Sequence, residues 1–266
     1  IKQGAFVVSA KQSDEAASVI EASAREIADS YAGYGERFEV LETLPTELGQ
    51  TFGVRTLAGE YREIHLPVHG AYQAENAALA IAAVEAFLGN GNQRIIDDVI
   101  RASLADASSP GRLQVLQREP LILLDAAHNP GGAEVLAQAL ATTFKKPYAI
   151  GVLGVLGDKD ATGFFEILND SFVEVVLTQS SSPRAVPVEV LAETARKVFG
   201  ADRVHLEPKP LRAIALAESL LPAADSGLVG AIVVTGSITL VGDILAAIQA
   251  EDFDDDYTEE DENGEN

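Results

Sequence analysis

The 266-residue chain has no cysteine, no methionine and no tryptophan. Without cysteine it can form no disulfide, no thiolate zinc site and no thiol nucleophile. That absence fits a cytosolic protein, and a cytoplasmic location is expected. The absence of methionine even at position 1 predicts that Ile1 lies inside a longer polypeptide. Basic residues are few, 19 Lys and Arg against 41 Asp and Glu, for a net charge of −22. This excludes the basic footprint that nucleic-acid binding needs. Long apolar runs are missing too. The longest uncharged stretch, Ser226–Gly242, is broken by Gly230, Gly236 and Ser237 and falls short of the ~20 residues of a membrane span. No membrane partner is expected. The four histidines, His65, His69, His128 and His205, show no ligand spacing such as H-E-x-x-H, so no metal site is expected within the chain. No G-x-x-x-x-G-K-[ST] loop is present, and no G-x-G-x-x-G follows the apolar run Leu121–Leu124, which disfavours a nicotinamide-binding protein.

The charge is unevenly spread. Glu251–Asn266 carries ten acids and no base, and the rest holds 31 acids against 19 bases. Such a tail cannot bury enough apolar surface to offset ordering, so residues 251–266 are expected to be a disordered acidic tail. Deleting them should leave the melting temperature nearly unchanged in a thermal scan; a large drop would show that the tail docks.

Two domains are expected ahead of the tail. Residues 1–106 read as a mixed segment: a strand at Phe6–Ser9, a helix at Ser13–Tyr31 capped by Ser13, and a hairpin of Phe52–Leu57 and Tyr61–Leu66 around Ala58-Gly59-Glu60. An Ala-rich helix at Tyr72–Phe87 and another at Gln93–Leu104 follow. Ala107-Ser108-Ser109-Pro110-Gly111 is rich in turn residues and marks the boundary. Residues 107–250 alternate. Strands are expected at Leu113–Leu116, Leu121–Leu124, Tyr148–Leu153, Val173–Thr178, Arg203–Leu206 and Ala231–Thr235. Helices are expected at Gly131–Phe144, Ala161–Asn169, Pro187–Phe199, Leu211–Leu221 and Ile238–Gln249. Alternation predicts an α/β fold, a mostly parallel sheet covered on both faces. Arg118-Glu119-Pro120 is short enough to make the first two strands an antiparallel hairpin.

Ligands of such sheets bind outside the carboxyl ends of the strands, against helix N-termini. The segment Leu121–Leu140 places Asp125 and His128 at that edge. Asn129 and Pro130 fit a helix cap and first helical position. Gln73 and Asn76, three apart on one helix face, can read a base edge, although a plain polar helix start also explains them. Arg112, just after a Pro-Gly turn, is placed to clamp a phosphate; a lone surface arginine is the commoner fate. Gly151–Asp160 offers Asp158 and Lys159 to a charged substrate, with Asp160 as a helix cap. Ser180–Arg184 and Thr235-Gly236-Ser237 end two further strands, and a plain cap also explains Ser237.

Together these segments resemble the folylpolyglutamate synthase / dihydrofolate synthase family of the Mur ligase superfamily. HGAYQAENAALAIAA, SPGR, LLDAAHNP, GVLGDKD, SPRA and VVTGSITLVGD occur in the family's order from about Val68 to Asp243. Ala126 stands where the family usually has glycine. The resemblance implies a central P-loop ATPase domain followed by a Rossmann-like C-terminal domain, with the active site between them. It implies ATP-dependent joining of L-glutamate to dihydropteroate or a folate through an acyl phosphate. Asn76 then resembles the adenine contact, Arg112 the phosphate arginine and Asp125 the ribose acid. His128 and Asn129 fall near ribose and phosphates, and Arg112 and His128 are the catalytic candidates. Lys159, Arg184 and Ser237 resemble the glutamate side. The phosphate loop, the modified lysine and the Mg2+ ligands of the family have no counterpart here. The chain therefore resembles the end of the central domain (1–106) plus the whole C-terminal domain (107–250). The fragment alone is expected to be inactive, and a monomer is expected. A Mur-type ligase of cell-wall precursors and a non-catalytic binding remnant are the alternative readings.

Overall fold

The computed structural model of the chain describes residues 1–144, 148–223 and 229–262, with side chains to 250. The start of the uncharged stretch, 226–228, and the tail residues 263–266 lie outside the described residues. Contacts divide the chain into two units, Ile1–Ser109 and Pro110–Asn266. The division falls three residues after the expected 106/107 boundary, because Ala107 packs against the core of the first unit.

In the first unit, strand β1 (Phe6–Ser9) pairs in parallel with β2 (Ser30–Gly33). Between them runs helix α1 (Asp14–Ile27), with the Ser13 hydroxyl accepting from the Ala16 N–H. The helix expected to reach Tyr31 therefore stops at Ile27. The Asp29 N–H is already bonded to the Ala5 carbonyl, and the next residues join β1 as a strand, a tertiary pairing that local periodicity does not show. Strands β3 (Glu39–Thr46), β4 (Gly49–Arg55) and β5 (Glu60–Leu66) form an antiparallel sheet in that order. β3 was unread in the sequence: it is an edge strand, largely exposed, and it carries Pro45, which only an edge tolerates.

Helix α2 (Ala71–Gly89) lies against β1 and β3. Its Ala74, Ala77, Ala78, Ile81 and Ala82 recur at helical spacing and are buried with Phe38, Phe52, Val54, Tyr61 and Ile64. Glu85 of α2 is fully buried, at 0% exposure. Its carboxylate accepts from Tyr61 Oη at 2.8 Å, Thr56 Oγ1 at 3.0 Å and the Ala58 N–H at 3.1 Å. Burial and the bond to Glu85 push the Tyr61 hydroxyl up to about 12. Glu85→Ala would strand these donors in the interior. It is expected to cost ~3 kcal/mol in urea unfolding, with Glu85→Gln clearly milder; equal losses would mean that only side-chain volume matters there. Helix α3 (Asp97–Ala105) starts four residues later than expected. The Tyr61 hydroxyl accepts from the Ile95 N–H at 2.9 Å and holds that backbone out of the helix.

In the second unit six strands form one sheet in the order β10-β9-β8-β11-β7-β6. They are β6 (Gln114–Arg118), β7 (Leu121–Leu124), β8 (Tyr148–Leu153), β9 (Glu174–Leu177), β10 (Val204–Leu206) and β11 (Gly230–Thr235). All neighbours are parallel except the β6–β7 hairpin. The helices are α4 (Pro130–Ala139, extended by a π turn over Leu140–Phe144), α5 (Ala161–Leu168), α6 (Val188–Phe199), α7 (Pro210–Ser219) and α8 (Ile238–Glu262). Alternate strand residues split between two faces. Ile122, Leu124, Ile150, Val152, Val176, Ile232 and Val234 pack on Ala213, Ile214 and Ala217 of α7 and Leu240, Val241 and Ile244 of α8. Helices α4, α5 and α6 contact one another in sequence. Each buried Leu, Ile or Val here contributes about 1.5–3 kcal/mol of transfer free energy. The backbone of α8 runs helical to Glu262. Once a helix is nucleated, each added residue gains one hydrogen bond.

Candidate active site at the carboxyl edge of the sheet

Because β7 to β11 are parallel, the segments after β7, β8, β9 and β11 emerge side by side at one edge. β6 runs antiparallel, with Gln114 opposite Leu124, so the turn before it reaches the same edge. That turn carries Arg112. Gly111 and Leu113 on either side of it have φ of +69° and +47°, left-handed values that a leucine adopts only at a cost of about 1–3 kcal/mol. Two bonds to the segment after β7 hold them there. The Ala126 N–H donates to the Gly111 carbonyl at 2.7 Å, and the Leu113 N–H donates to Asp125 Oδ2 at 3.0 Å. The Leu113 side chain is buried while Arg112 stays exposed. Arg112 is thus presented beside Asp125 by a strained and firmly bonded turn.

Asp125 is 8% exposed. Its second oxygen accepts from the Ala127 N–H at 2.9 Å, so the carboxylate first serves the backbone. Burial pushes its carboxyl above the ordinary 3.8, against the opposing pull of the Ala127 and Leu113 N–H groups and the Arg112 charge. A raised folded pKa means that this group's contribution to stability is full below its unfolded pKa and is lost as pH rises through the folded one. In urea unfolding from pH 4 to 7, the advantage of the native protein over Asp125→Asn is therefore expected to shrink as pH rises. An advantage that grows with pH would mean that the N–H donors outweigh burial.

His128 Nδ1 lies 3.0 Å from the Ala126 carbonyl. A carbonyl only accepts, so Nδ1 carries the proton and Nε2 takes no part in that bond. Asn129 caps α4, its Oδ1 accepting from the Gly132 N–H at 2.8 Å, with Pro130 in the first turn. The Ala127 carbonyl takes the Gly236 N–H at 2.9 Å and Thr235 Oγ1 at 3.3 Å, tying the ends of β7 and β11 together.

The segments after β8 and β9 also meet. The Gly157 N–H donates to the Arg184 carbonyl at 2.8 Å, and Leu156 bridges Ala185. Asp158 joins the two cations, 3.4 Å from Lys159 Nζ and 3.4 Å from Arg184 Nη1. Desolvation raises the Asp158 carboxyl, but its own N–H, Lys159 and Arg184 together hold it below its ordinary value. Asp160 caps α5 through the Gly163 N–H. Ser237 is 1% exposed, and its hydroxyl lies 2.6 Å from Thr239 Oγ1 while accepting from the Thr239 N–H. It closes the start of α8 rather than facing outward.

Arg112, Asp125, His128 and Asn129 therefore form one group, and Lys159 and Arg184 another on the same edge. Asn76 lies in the first unit, exposed on α2, its amide donating to Gln73 Oε1 at 3.4 Å. Gln73 Nε2 is buried without a partner among the described residues. Sequence reasoning missed Gly111, Leu113 and Asp243. Asp243 accepts from both the Ser181 N–H and hydroxyl, at 2.6 and 2.7 Å. Only the acid closing VVTGSITLVGD hinted at it. Among the described residues no group of His, Asp and Glu is placed to hold a metal ion, and no helix is long and apolar enough to cross a membrane.

Residues 111–238, which carry this edge, match the family described as Mur ligase, glutamate ligase domain. The chain is 45% identical over 222 residues to the dihydrofolate synthase/folylpolyglutamate synthase of Mycobacterium tuberculosis, covering 80% of this chain and 46% of that protein. It is 30% identical over 188 residues to the folylpolyglutamate synthase of Lacticaseibacillus casei, covering 70% and 44%. The solved M. tuberculosis folylpolyglutamate synthase complexed with ADP and AMPPCP matches with a TM-score of 0.85 at 41% identity, over 90% of this chain and 54% of that one. The chain spans about half the length of the curated relatives it matches. The edge built around Arg112 and His128 thus lies within the stretch that matches the Mur ligase, glutamate ligase domain, and the chain is similar over most of its length to folylpolyglutamate synthases and dihydrofolate synthase/folylpolyglutamate synthases.

Proposed function

We propose that the chain is the C-terminal portion of a monomeric, cytoplasmic ATP-dependent ligase that adds L-glutamate to a folate, to dihydropteroate, or to both. The observation that carries this reading is the presentation of Arg112 beside Asp125 and His128 at the carboxyl edge. In the reaction, a carboxylate oxygen of the acceptor takes the γ-phosphoryl group of ATP, releasing ADP. The glutamate amine then attacks the acyl carbon, loses a proton and expels phosphate to leave an amide. Transfer of this kind depends on positioning and charge neutralisation more than on covalent help.

Arg112 supplies a guanidinium for phosphate oxygens from a backbone held by the Gly111 and Leu113 bonds, and its exposure leaves its donors available. His128 offers Nε2 to ribose or phosphate. Each Asp125 oxygen keeps acceptor capacity beyond its backbone bond, which suits ribose hydroxyls. Asn129 acts through its cap on α4, and Lys159 and Arg184 attract the carboxylates of glutamate. Ser237 contributes by closing the start of α8. Mg2+ neutralises ATP phosphates in such reactions, but the described residues do not form its site. Release of ADP by the whole ligase, dependent on both a folate or dihydropteroate and glutamate, tests the reading. Release stimulated instead by a nucleotide-linked muropeptide would favour a cell-wall ligase, and no release with any acceptor would favour a binding remnant.

A further inference from the structure

A cavity of about 850 Å3 lies between the first turn of α7, the middle of α8 and the segment after β9. Its size falls in the range of small-molecule sites. Pro208, Pro210, Leu211, Ile244, Ala246 and Ala247 give it an apolar wall, and Gln179, Ser180, Ser181, Lys209, Arg212 and Asp243 give it polar groups. None of the residues proposed above for ATP or glutamate lines it.

Its charges are unusual for so acidic a protein. Lys209 and Arg212 are both exposed, and neither side chain has a hydrogen-bonded or ion-paired partner among the described residues. Asp243 is the one acid in the wall, and both its oxygens are engaged by Ser181. Glu207, which accepts from the Lys209 N–H, does not line the cavity. The wall therefore carries one net positive charge. The N-terminus of α7 adds to it. Its cap residue, Lys209, makes no side-chain cap bond and Pro210 has no N–H, so the first-turn N–H groups of Leu211 and Arg212 add the positive end of the helix dipole.

We propose that this cavity binds a small amphipathic carboxylate: one carboxyl group held by Lys209, Arg212 and the α7 N-terminus, and an apolar body against Leu211, Ile244 and Ala247. A single anion matches the single net charge. A polyanion would also meet the Asp243 carboxylate in the wall, and a neutral apolar molecule would leave both cations unused.

The test uses the 266-residue chain with 4-phenylbutyrate and its neutral isostere 4-phenylbutyramide, followed by amide chemical shifts. The carboxylate is expected to saturate shifts confined to 179–181, 208–212 and 243–247. The carboxamide, and the Lys209→Ala/Arg212→Ala double variant with the carboxylate, are each expected to bind about tenfold more weakly or worse. Both replaced side chains are exposed and unpartnered, so the melting temperature of the variant should match the parent chain. Absence of saturable shifts, equal affinity for acid and amide, or unchanged binding by the double variant would each overturn the proposal.

Discussion

Arg112→Ala, made in the full-length ligase, is expected to lower acceptor-dependent ADP release by about 10²- to 10³-fold, the scale of losing one fixed donor to a developing charge. The turn explains why so large an effect falls on an exposed side chain. Gly111 and Leu113 hold left-handed conformations secured by Ala126 and Asp125, so the backbone that carries Arg112 is set before any nucleotide arrives. Arg112→Lys keeps the charge but loses the planar fork and should recover only part of the rate. His128→Ala is expected to lose most of the activity as well, since Nδ1 is anchored on Ala126 and Nε2 is left for a ligand. Melting temperatures should barely move, because Arg112 is exposed and its neighbours are fixed through backbone bonds. The 266-residue chain alone should release no ADP from ATP with glutamate and either acceptor, since no phosphate loop occurs in its sequence. A variant lacking Arg112 that turns over normally would sink the assignment, and acceptor-dependent ADP release by the chain alone would show that the phosphate site has been misplaced.

Gly236→Ala is expected to be the most damaging single methyl group in the second unit, costing ~3 kcal/mol or more and in practice yielding little folded protein. Gly236 has φ +104°, and a Cβ there would sit 2.7 Å from the Gly154 carbonyl oxygen, 3.2 Å from its carbon and 3.3 Å from its nitrogen. All three are backbone atoms, so nothing flexible can swing aside. The same residue donates its N–H to Ala127, and β8, β11 and β7 are neighbours in the sheet. Forcing β11 away from Gly154 would therefore also pull on the segment that carries Asp125 and His128. Urea unfolding checks this, with Gly242→Ala as the control. A Cβ at Gly242 meets nothing within 4 Å, and its stability should stay near that of the unchanged chain. Equal behaviour of the two variants would show that the close approach at Gly154 relaxes freely.

The sequence by itself was enough for the second unit's architecture. β7 and β8 fall on Leu121–Leu124 and Tyr148–Leu153 as expected, because buried parallel strands are short continuous apolar runs between helices of a different period. It was also enough to bring Asp125, His128, Lys159 and Arg184 to one edge, since each follows a strand and parallel strands share their carboxyl ends. Less was legible in the first unit. Pairing with β1 turned the end of an expected helix into β2, and Pro45 and polar residues disguised the edge strand β3. Only the tertiary structure decided what each edge residue does locally. Asp125 reads as a ligand acid, yet its oxygens first satisfy Leu113 and Ala127. Ser237 reads either as a glutamate-side hydroxyl or as a plain cap, and its hydroxyl accepts from the Thr239 N–H at the start of α8. Sequence position says which end of a strand a polar group occupies. Which donors and acceptors reach it is set by chain segments distant in sequence, such as Leu113 twelve residues before Asp125 and Asp243 sixty-two after Ser181, and these meet only once the sheet has closed its register.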